Sequence, residues 1–161
     1  MIKMLSFLIC CLYLVMNTGQ AGVIDNPVSP MCLSCICKVA TTACVDVGCS
    51  VDRGGYACGY YQIRYEYYID CYKPEPDSGC QGLTEEQCWM KCSRDKNCAE
   101  RCIQAYMLRY RNKNGAGSDC ESYTRLHAGG PFGAAKWSTY WYNRTTSYWN
   151  RARVYGCLSD S

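Results

Sequence analysis

The chain has 161 residues, sixteen of them cysteine, and a formal net charge of +3 at pH 7. That charge is too small to indicate a nucleic-acid-binding protein. The length fits one ordinary domain with a modest core.

The first 21 residues have the pattern of a secretory signal peptide. Lys3 gives a basic start, an apolar run extends from Met4 to Met16, and small and polar residues lead to Ala21. The apolar run is shorter than the roughly 20 residues that a membrane-spanning helix needs. We therefore expect a signal peptide over 1–21, a short lead over 22–31, one domain over 32–161, and a secreted protein without a membrane anchor.

The cysteines predict a disulfide framework. Fourteen of them follow residue 21, an even number that suits an oxidising compartment and allows seven disulfides. A zinc knuckle at the first three is the competing interpretation, but the chain has a single histidine and no second CxxC at zinc-ribbon spacing. We predict no metal and no cofactor. The predicted disulfide cysteines, whose connectivity stays open, are Cys32, Cys35, Cys37, Cys44, Cys49, Cys58, Cys71, Cys80, Cys88, Cys92, Cys98, Cys102, Cys120 and Cys157.

The middle of the chain predicts a hairpin followed by helices. Residues 52–68 (DRGGYACGYYQIRYEYY) favour a short hairpin with aromatic residues facing each other. Thr84 and Gln87 form a capping-box pattern that opens a helix in TEEQCWMKC. In the next segment one buried stripe recurs at helical spacing, formed by Cys98, Cys102, Ile103, Tyr106, Met107 and Tyr110.

Two further helices are expected in the last third. Ser118 and Glu121 predict the cap of a helix in SDCESYTRLHAGG, which stops at the glycines before Pro131. A last helix is expected from about Ser147 to Tyr155. Four or five short helices with one antiparallel β-hairpin predict a small, disulfide-rich α+β domain in which helices dominate. The sequon at Asn143 predicts glycosylation and an exposed segment.

The motifs resemble the invertebrate-type, or destabilase-like, lysozyme family. The match covers essentially the whole chain after the signal peptide and comprises CLSCICK (32–38), VGC (47–49), CGYYQI (58–63), YYIDC (67–71), WMKC (89–92), NCAERCIQAYMLRY (97–110), HAGGPFG (127–133) and a final YWNR with GC (156–157). The resemblance implies a lysozyme-like fold with a cleft between hairpin and helices. It also implies hydrolysis of peptidoglycan by active members, some of which are credited with isopeptide cleavage.

The cysteine pattern departs from that family at two places. Gly117 and Ala134 stand in neighbourhoods where the family usually has cysteines, whereas this chain adds Cys80 and Cys88. Two losses and two gains keep the number even. The resemblance therefore implies a Cys80–Cys88 disulfide in place of one family bridge, with a free, reactive pair as the alternative.

The family's catalytic acid is missing. Glycoside hydrolysis needs one carboxyl to protonate the leaving oxygen and one carboxylate to stabilise or attack the sugar carbon. Asp52 matches the family's second carboxylate, although an Asp in this turn can also serve only to accept backbone N–H bonds. The acid, a glutamate in the family, falls on Ala40 or Thr41, depending on which flanking cysteine is used for counting. Asp46, Glu66 and Asp70 are the carboxyls that could replace it, and Asp46 is the possible substitute because it is the one that this chain adds to the family pattern.

The isopeptidase pair is also incomplete. His127 matches the family's histidine, but the serine position is Gly55, which leaves no nucleophile. We expect His127 to be structural, with its charge suiting a helix C-terminus and its ring bonding a carbonyl. Aromatic and amide side chains suit sugar rings, and the predicted binding residues are Tyr60, Tyr61, Gln62, His127, Trp149 and Asn150.

Three functions follow from these residues and the resemblance. The favoured one is binding of bacterial peptidoglycan, or a related amino-sugar polymer, with weak or no cleavage. The second is an active muramidase that uses Asp46 and Asp52, and the third is a disulfide-stapled inhibitor or structural protein. We expect a monomer or weak dimer with no nucleic-acid or membrane partner.

Overall fold

The structure, a computed structural model, describes residues 25–52 and 55–158. The predicted signal peptide lies outside these residues. The described elements are α1 (Pro30–Thr41), β1 (Cys49–Asp52), β2 (Gly55–Cys58), β3 (Ile63–Arg64), α2 (Tyr65–Asp70), α3 (Glu85–Arg94), α4 (Lys96–Tyr110), α5 (Cys120–Gly129), a 3-10 helix (Gly130–Phe132) and α6 (Thr139–Val154). The predicted helix-dominated α+β class is confirmed. Within the described ranges, no helix is long and apolar enough to cross a membrane.

The first helix begins inside the predicted lead. Ser29 caps α1 by accepting a hydrogen bond from the Cys32 amide, and Pro30 occupies the first turn. Val28 is buried, and its backbone amide and carbonyl both bond the side-chain amide of Gln104 on α4. The lead is therefore packed against the core from Val28 onward.

The sheet has three antiparallel strands in the order β1-β2-β3. The predicted hairpin is confirmed, with Cys49 opposite Cys58 and the Asp52 backbone opposite that of Gly55. Beyond the prediction, β3 adds a two-residue strand on the other side of β2. The Trp89 indole N–H donates to the Ile63 carbonyl at 3.1 Å and ties this strand to α3.

The two central helices follow their sequence signals. The Thr84 hydroxyl and the Gln87 side chain form the predicted capping box of α3. On α4, the predicted stripe is buried except for Tyr110, which is only partly covered. Helix α4 therefore forms the centre of the core, and its aromatic end reaches the surface.

The last two helices differ from the predictions at their starts. The cap of α5 is Asp119, whose carboxylate accepts from the Ser122 amide at 2.8 Å, so the prediction of Ser118 was one residue early. Helix α5 ends at Gly129, as predicted. Helix α6 begins at Thr139, capped by Ser138, and not at Ser147. The sequon at Asn143 therefore lies on a helix, with its asparagine exposed.

A buried arginine joins α5 to α6. The Arg125 side chain is only 4% exposed and pairs with Glu121 at 2.8 Å. Its guanidinium lies 3.7 Å from the Tyr142 ring centroid and donates to the Tyr142 carbonyl and the Thr145 hydroxyl. These contacts fix the orientation of α6 beside the end of α5.

Seven disulfides link the described elements. The predicted Cys80–Cys88 bridge is present. The zinc-knuckle alternative is wrong, because its three cysteines are all used in disulfides. The full set of pairs is Cys32–Cys120, Cys35–Cys157, Cys37–Cys44, Cys49–Cys58, Cys71–Cys102, Cys80–Cys88 and Cys92–Cys98.

Candidate functional site

A cleft of about 660 Å³ opens between the ends of α1 and α5, the segment before β3, and the helices α2, α4 and α6. That volume is typical of small-molecule sites. Its lining residues are Val39, Ala40, Thr42, Tyr61, Gln62, Arg64, Glu66, Tyr67, Asp70, Tyr106, His127, Ala128, Gly129, Gly130, Pro131, Tyr148 and Arg151.

A smaller groove adjoins this cleft. It has a volume of about 340 Å³ and lies between the sheet and α3, where Tyr56 and Trp89 form its aromatic side. Arg64 and Glu66 line both spaces. The two together form a longer depression that can follow an extended polymer.

The histidine at the cleft is held in one tautomer. The ring Nε2 of His127 lies 2.9 Å from the Tyr61 carbonyl oxygen, which can only accept, so Nε2 carries the proton. Nδ1 then faces the Tyr67 hydroxyl as an acceptor, at the longer distance of 3.5 Å. The predicted ring-to-carbonyl bond is therefore present.

The predicted charge of His127 is wrong. The pKa of His127 is lowered to about 4, chiefly by burial and to a smaller extent by the positive charge of Arg64, against an opposing contribution from the hydrogen bond to the Tyr61 carbonyl. The ring is therefore neutral at pH 7 and cannot neutralise the helix dipole. The hydroxyl beside it belongs to Tyr67, whose pKa is raised well above its usual value by burial, so it is a poor nucleophile.

The structure places the two candidate positions for the family's acid differently. Ala40 lines the cleft near the end of α1, whereas Thr41 is absent from its lining. The Thr41 hydroxyl lies 3.3 Å from the carbonyls of Cys37 and Tyr60 and accepts from the Val45 amide at 3.2 Å. Thr41 therefore holds the following loop, and the position that faces the cleft carries a methyl group.

The proposed substitute acid lies elsewhere. Asp46 accepts from the Gly48 amide with one oxygen and pairs with Arg94 through the other, both at 2.9 Å. It is not among the residues that line the cleft. The Asp52 backbone belongs to β1, but its side chain lies outside the described part of the structure.

Two other carboxylates line the cleft. Asp70 accepts from the Tyr110 hydroxyl at 2.8 Å and lies 3.3 Å from an Arg109 nitrogen. Glu66 is exposed in the first turn of α2 and faces both parts of the depression. Asp46 was weighted above Glu66 because it is the carboxyl that this chain adds to the family pattern, but Glu66 is the one that lines the cleft.

The predicted sugar-binding residues are only partly brought together. Tyr61, Gln62 and His127 line the cleft, whereas Tyr60 does not. On α6, Trp149 packs into the core and Asn150 is exposed outside the cleft lining. Tyr148 and Arg151 take the cleft-facing places instead.

The tryptophans of the 137–149 segment do not line the cleft either. Trp137 is 69% exposed, and it packs edge-on against Phe132, which also stacks on Trp141. None of these three lines the cleft. They form a separate aromatic surface beyond the Pro131 end.

Comparison with known proteins agrees with this architecture. A family model described as Destabilase matches residues 29–153. A lysozyme of Ostrea edulis is 39% identical over 138 residues, covering 86% of this chain and 88% of that one. Invertebrate-type lysozyme 6 of Caenorhabditis elegans is 40% identical over 129 residues, covering 78% and 86%.

Solved structures show the same likeness. The crystal structure of Tapes japonica lysozyme superposes with a TM-score of 0.68 at 37% identity, covering 84% of this chain and 98% of that one. The complex of Aeromonas hydrophila PliI with Meretrix lusoria lysozyme gives 0.69 at 38% identity, with the same coverage. With a family model matched over most of its length and relatives of this identity, the chain belongs to the destabilase family of invertebrate-type lysozymes.

Proposed function

We propose that this protein is a secreted, peptidoglycan-directed member of the family that binds the polymer in its cleft without cleaving it efficiently. The observation that carries the proposal is Ala40, which lines the cleft at the place where the resemblance puts the proton-donating glutamate. A methyl group cannot protonate the leaving oxygen. Loss of general acid catalysis typically costs about a hundredfold to ten-thousandfold in rate.

The rest of the cleft keeps features that suit a glycan. Tyr67 and Tyr148, which are only partly buried, supply aromatic surface, and the Gln62 side chain, whose amide nitrogen donates to the Gly59 carbonyl at 2.9 Å, supplies a polar group beside it. Aromatic rings offer apolar contact to the faces of sugar rings. The long depression suits a polymer better than a single compact ligand. Seven disulfides fit an extracellular setting.

Cleavage of isopeptide bonds is not part of the proposal. The family position for the serine is Gly55, which has no side chain to act as nucleophile. His127 is neutral, but its Nε2 proton is committed to the Tyr61 carbonyl. A base without a nucleophile within reach cannot form an acyl-enzyme.

An active muramidase is the alternative that the test must exclude. Asp46 is directed at Arg94 and away from the cleft, so the carboxyl in the better place is Glu66. Glu66 is exposed, whereas a general acid gains its raised pKa from a buried, apolar environment. The exposure of Glu66 therefore favours binding over cleavage.

The test compares binding and cleavage on the same material. Oxidised protein from residue 22 onward is incubated with purified bacterial peptidoglycan, and both pelleted protein and released reducing ends are measured. We expect the native protein to bind and to release few ends. We expect Ala40→Glu to raise release by about a hundredfold or more, while Ala40→Gln, of nearly the same size, stays at the native level.

Two variants separate the remaining outcomes. If the native protein cleaves rapidly and Glu66→Gln abolishes cleavage, a replacement acid exists and the proposal is wrong. Asp52→Ala in the Ala40→Glu background should remove the gained activity, since the reaction needs both carboxyl groups. Failure of the native protein to pellet with peptidoglycan would favour the inhibitor or structural alternative.

A further inference from the structure

The outer face of α6 carries alternating aromatic and cationic side chains. Tyr140, Arg144, Tyr148 and Arg151 are spaced at i, i+4, i+8 and i+11, which places them on one face of the helix. The Arg144 guanidinium lies 5.4 Å from the Tyr140 ring centroid, and that of Arg151 lies 5.2 Å from the Tyr148 ring. We call these four residues the α6 stripe.

The stripe runs into the cleft. Its last two members, Tyr148 and Arg151, line the cleft, and the Tyr148 ring lies 6.3 Å from that of His127. Its first member, Tyr140, contacts Trp141 in the exposed aromatic surface beyond Pro131. A polymer lying in the cleft can therefore continue along α6 without leaving the protein surface.

The charge of this region is unbalanced. From residue 122 to residue 159 the sequence has five lysines and arginines and no aspartate or glutamate. Arg125 is buried against Glu121, but Arg144 and Arg151 are exposed, and no carboxylate in the described part of the chain pairs with either. Arg144 donates one hydrogen bond to the Tyr140 hydroxyl at 2.7 Å, and a guanidinium has five N–H donors, so others remain for an incoming anion.

We propose that the α6 stripe binds the anionic groups of an acidic bacterial wall glycan whose chain continues from the cleft. The inference rests on the proposed function, since the cleft holds the neighbouring part of the same polymer. Carboxylates of peptide stems and phosphates of attached wall polymers share this chemistry. Arginines bind either group in bidentate geometry, and the tyrosines supply contact to the sugar rings.

A lipid surface fits the stripe less well. Helices that bind membrane interfaces bury leucine, phenylalanine or tryptophan on one face. The stripe contains none of these, and Val154 is the only aliphatic residue of α6 larger than alanine. Cation–aromatic pairs along a groove suit a linear anionic polymer better.

The test uses a matched pair of double variants. Arg144→Gln with Arg151→Gln removes the two stripe cations. Lys136→Gln with Arg153→Gln removes the same charge from exposed residues off the stripe, since Arg153 lies about 200° around the helix from Arg151. All proteins carry Asn143→Gln, so that no glycan covers the neighbouring Tyr140. Binding is measured to intact peptidoglycan, to peptidoglycan freed of phosphate polymers with hydrofluoric acid, to carboxyl-amidated peptidoglycan, and to neutral chitin.

We expect the stripe variant to lose about tenfold in affinity for intact peptidoglycan at 0.15 M salt, consistent with two lost charge-assisted contacts. The control variant should bind every material like the parent, and the stripe variant should lose much less affinity for chitin than for intact peptidoglycan. Loss of the stripe effect after hydrofluoric acid treatment identifies phosphate as the bound group, and loss after amidation identifies carboxylate. Unchanged thermal unfolding would show that the variants fold.

Three results would overturn the inference. Equal losses of affinity in both variants would mean that the effect depends only on net charge. An equal loss on chitin would assign the stripe to neutral sugar contacts. Stripe-dependent binding to phosphatidylglycerol vesicles, with peptidoglycan binding unchanged, would make it a membrane surface.

Failure of the inference can be distinguished from failure of the proposed function. If the parent binds no peptidoglycan at all, the proposed function fails as well, whereas binding that is insensitive to the stripe overturns only this inference.

Discussion

Acid should destabilise this protein in part through the buried ring of His127. In the folded protein the pKa of His127 is lowered from 6.5 to about 4, chiefly by burial. Between those two pH values the unfolded ring binds a proton and the folded ring does not. Acid therefore favours the unfolded state, and the stability that the neutral ring contributes is fully present above pH 6.5 and is lost as pH falls toward 4.

The size of this loss follows from the difference in pKa. A shift of one unit corresponds to about 1.4 kcal/mol, so the full difference gives ~3 kcal/mol. Part of the ring surface remains accessible, and solvent screening reduces the expected loss to about 2 kcal/mol. That is a large fraction of the stability of a small domain.

Two measurements test this reasoning. His127 is the only histidine, so its ring proton resonance can be followed by NMR without ambiguity. Urea unfolding at pH 7, 5.5 and 4.5 is compared with His127→Gln, whose amide can still donate to the Tyr61 carbonyl but does not titrate. The variant should lose less stability between pH 6.5 and 4. A measured pKa near 6.5, or parallel stability curves, would refute the buried, neutral assignment.

Two substitutions test how the helices are held. Gly59 has φ of +74°, and a Cβ there would lie 1.7 Å from the Ser93 backbone oxygen, so Gly59→Ala should cost about 3 kcal/mol or more in urea unfolding. A cost below about 1 kcal/mol would contradict the close approach. The Thr145 hydroxyl donates to the Gly133 carbonyl at 2.8 Å and accepts from Arg125 at 3.0 Å. Thr145→Val should therefore cost about 1–3 kcal/mol, with Thr146→Val as a less buried comparison.

Local signals in the sequence predicted the middle of the fold. The capping box at Thr84 and the stripe of α4 depend on residues within a few positions of one another, and both are present. The cap of α5 was placed one residue early because Ser118 and Asp119 are both good cap residues. The choice between them depends on the Ser122 side chain, which also bonds the Gly117 amide.

The first half of α6 could not be predicted from local signals. Its residues are mainly aromatic or β-branched, with modest helix propensity. Tertiary contacts stabilise it instead, because Thr145 and Tyr142 bind the buried guanidinium of Arg125. Trp149 and Asn150 were predicted as cleft residues because aromatic and amide side chains suit sugar rings, whereas Tyr148 and Arg151 take the places at the cleft.

The resemblance predicted the residues of the candidate site better than the sequence predicted the orientation of their side chains. The resemblance predicted the loss of the acid, but counting from the two flanking cysteines gave two positions. The structure separates them because Thr41 bonds backbone groups of the loop, which contains non-glycine residues with positive φ at Thr42 and Cys44. The same loop directs Asp46 toward Arg94, a contact between residues 48 positions apart that spacing alone does not reveal.

The contacts that shape the cleft do not involve Ala40, the proposed position of the acid. His127 is held by Tyr61, and the Tyr67 ring stacks on Tyr106 at 3.6 Å, so this wall is fixed by the core of α4 and α5. Ala40 also lines the cleft, and its methyl group takes no part in these contacts. Alanine also favours the end of α1 and places no carboxyl group in the cleft that would have to be kept protonated. If Ala40 occupies the position of the acid, as we propose, its replacement removes a catalytic group without removing the binding surface. We therefore expect binding and cleavage to be separable, and both must be measured on the same material.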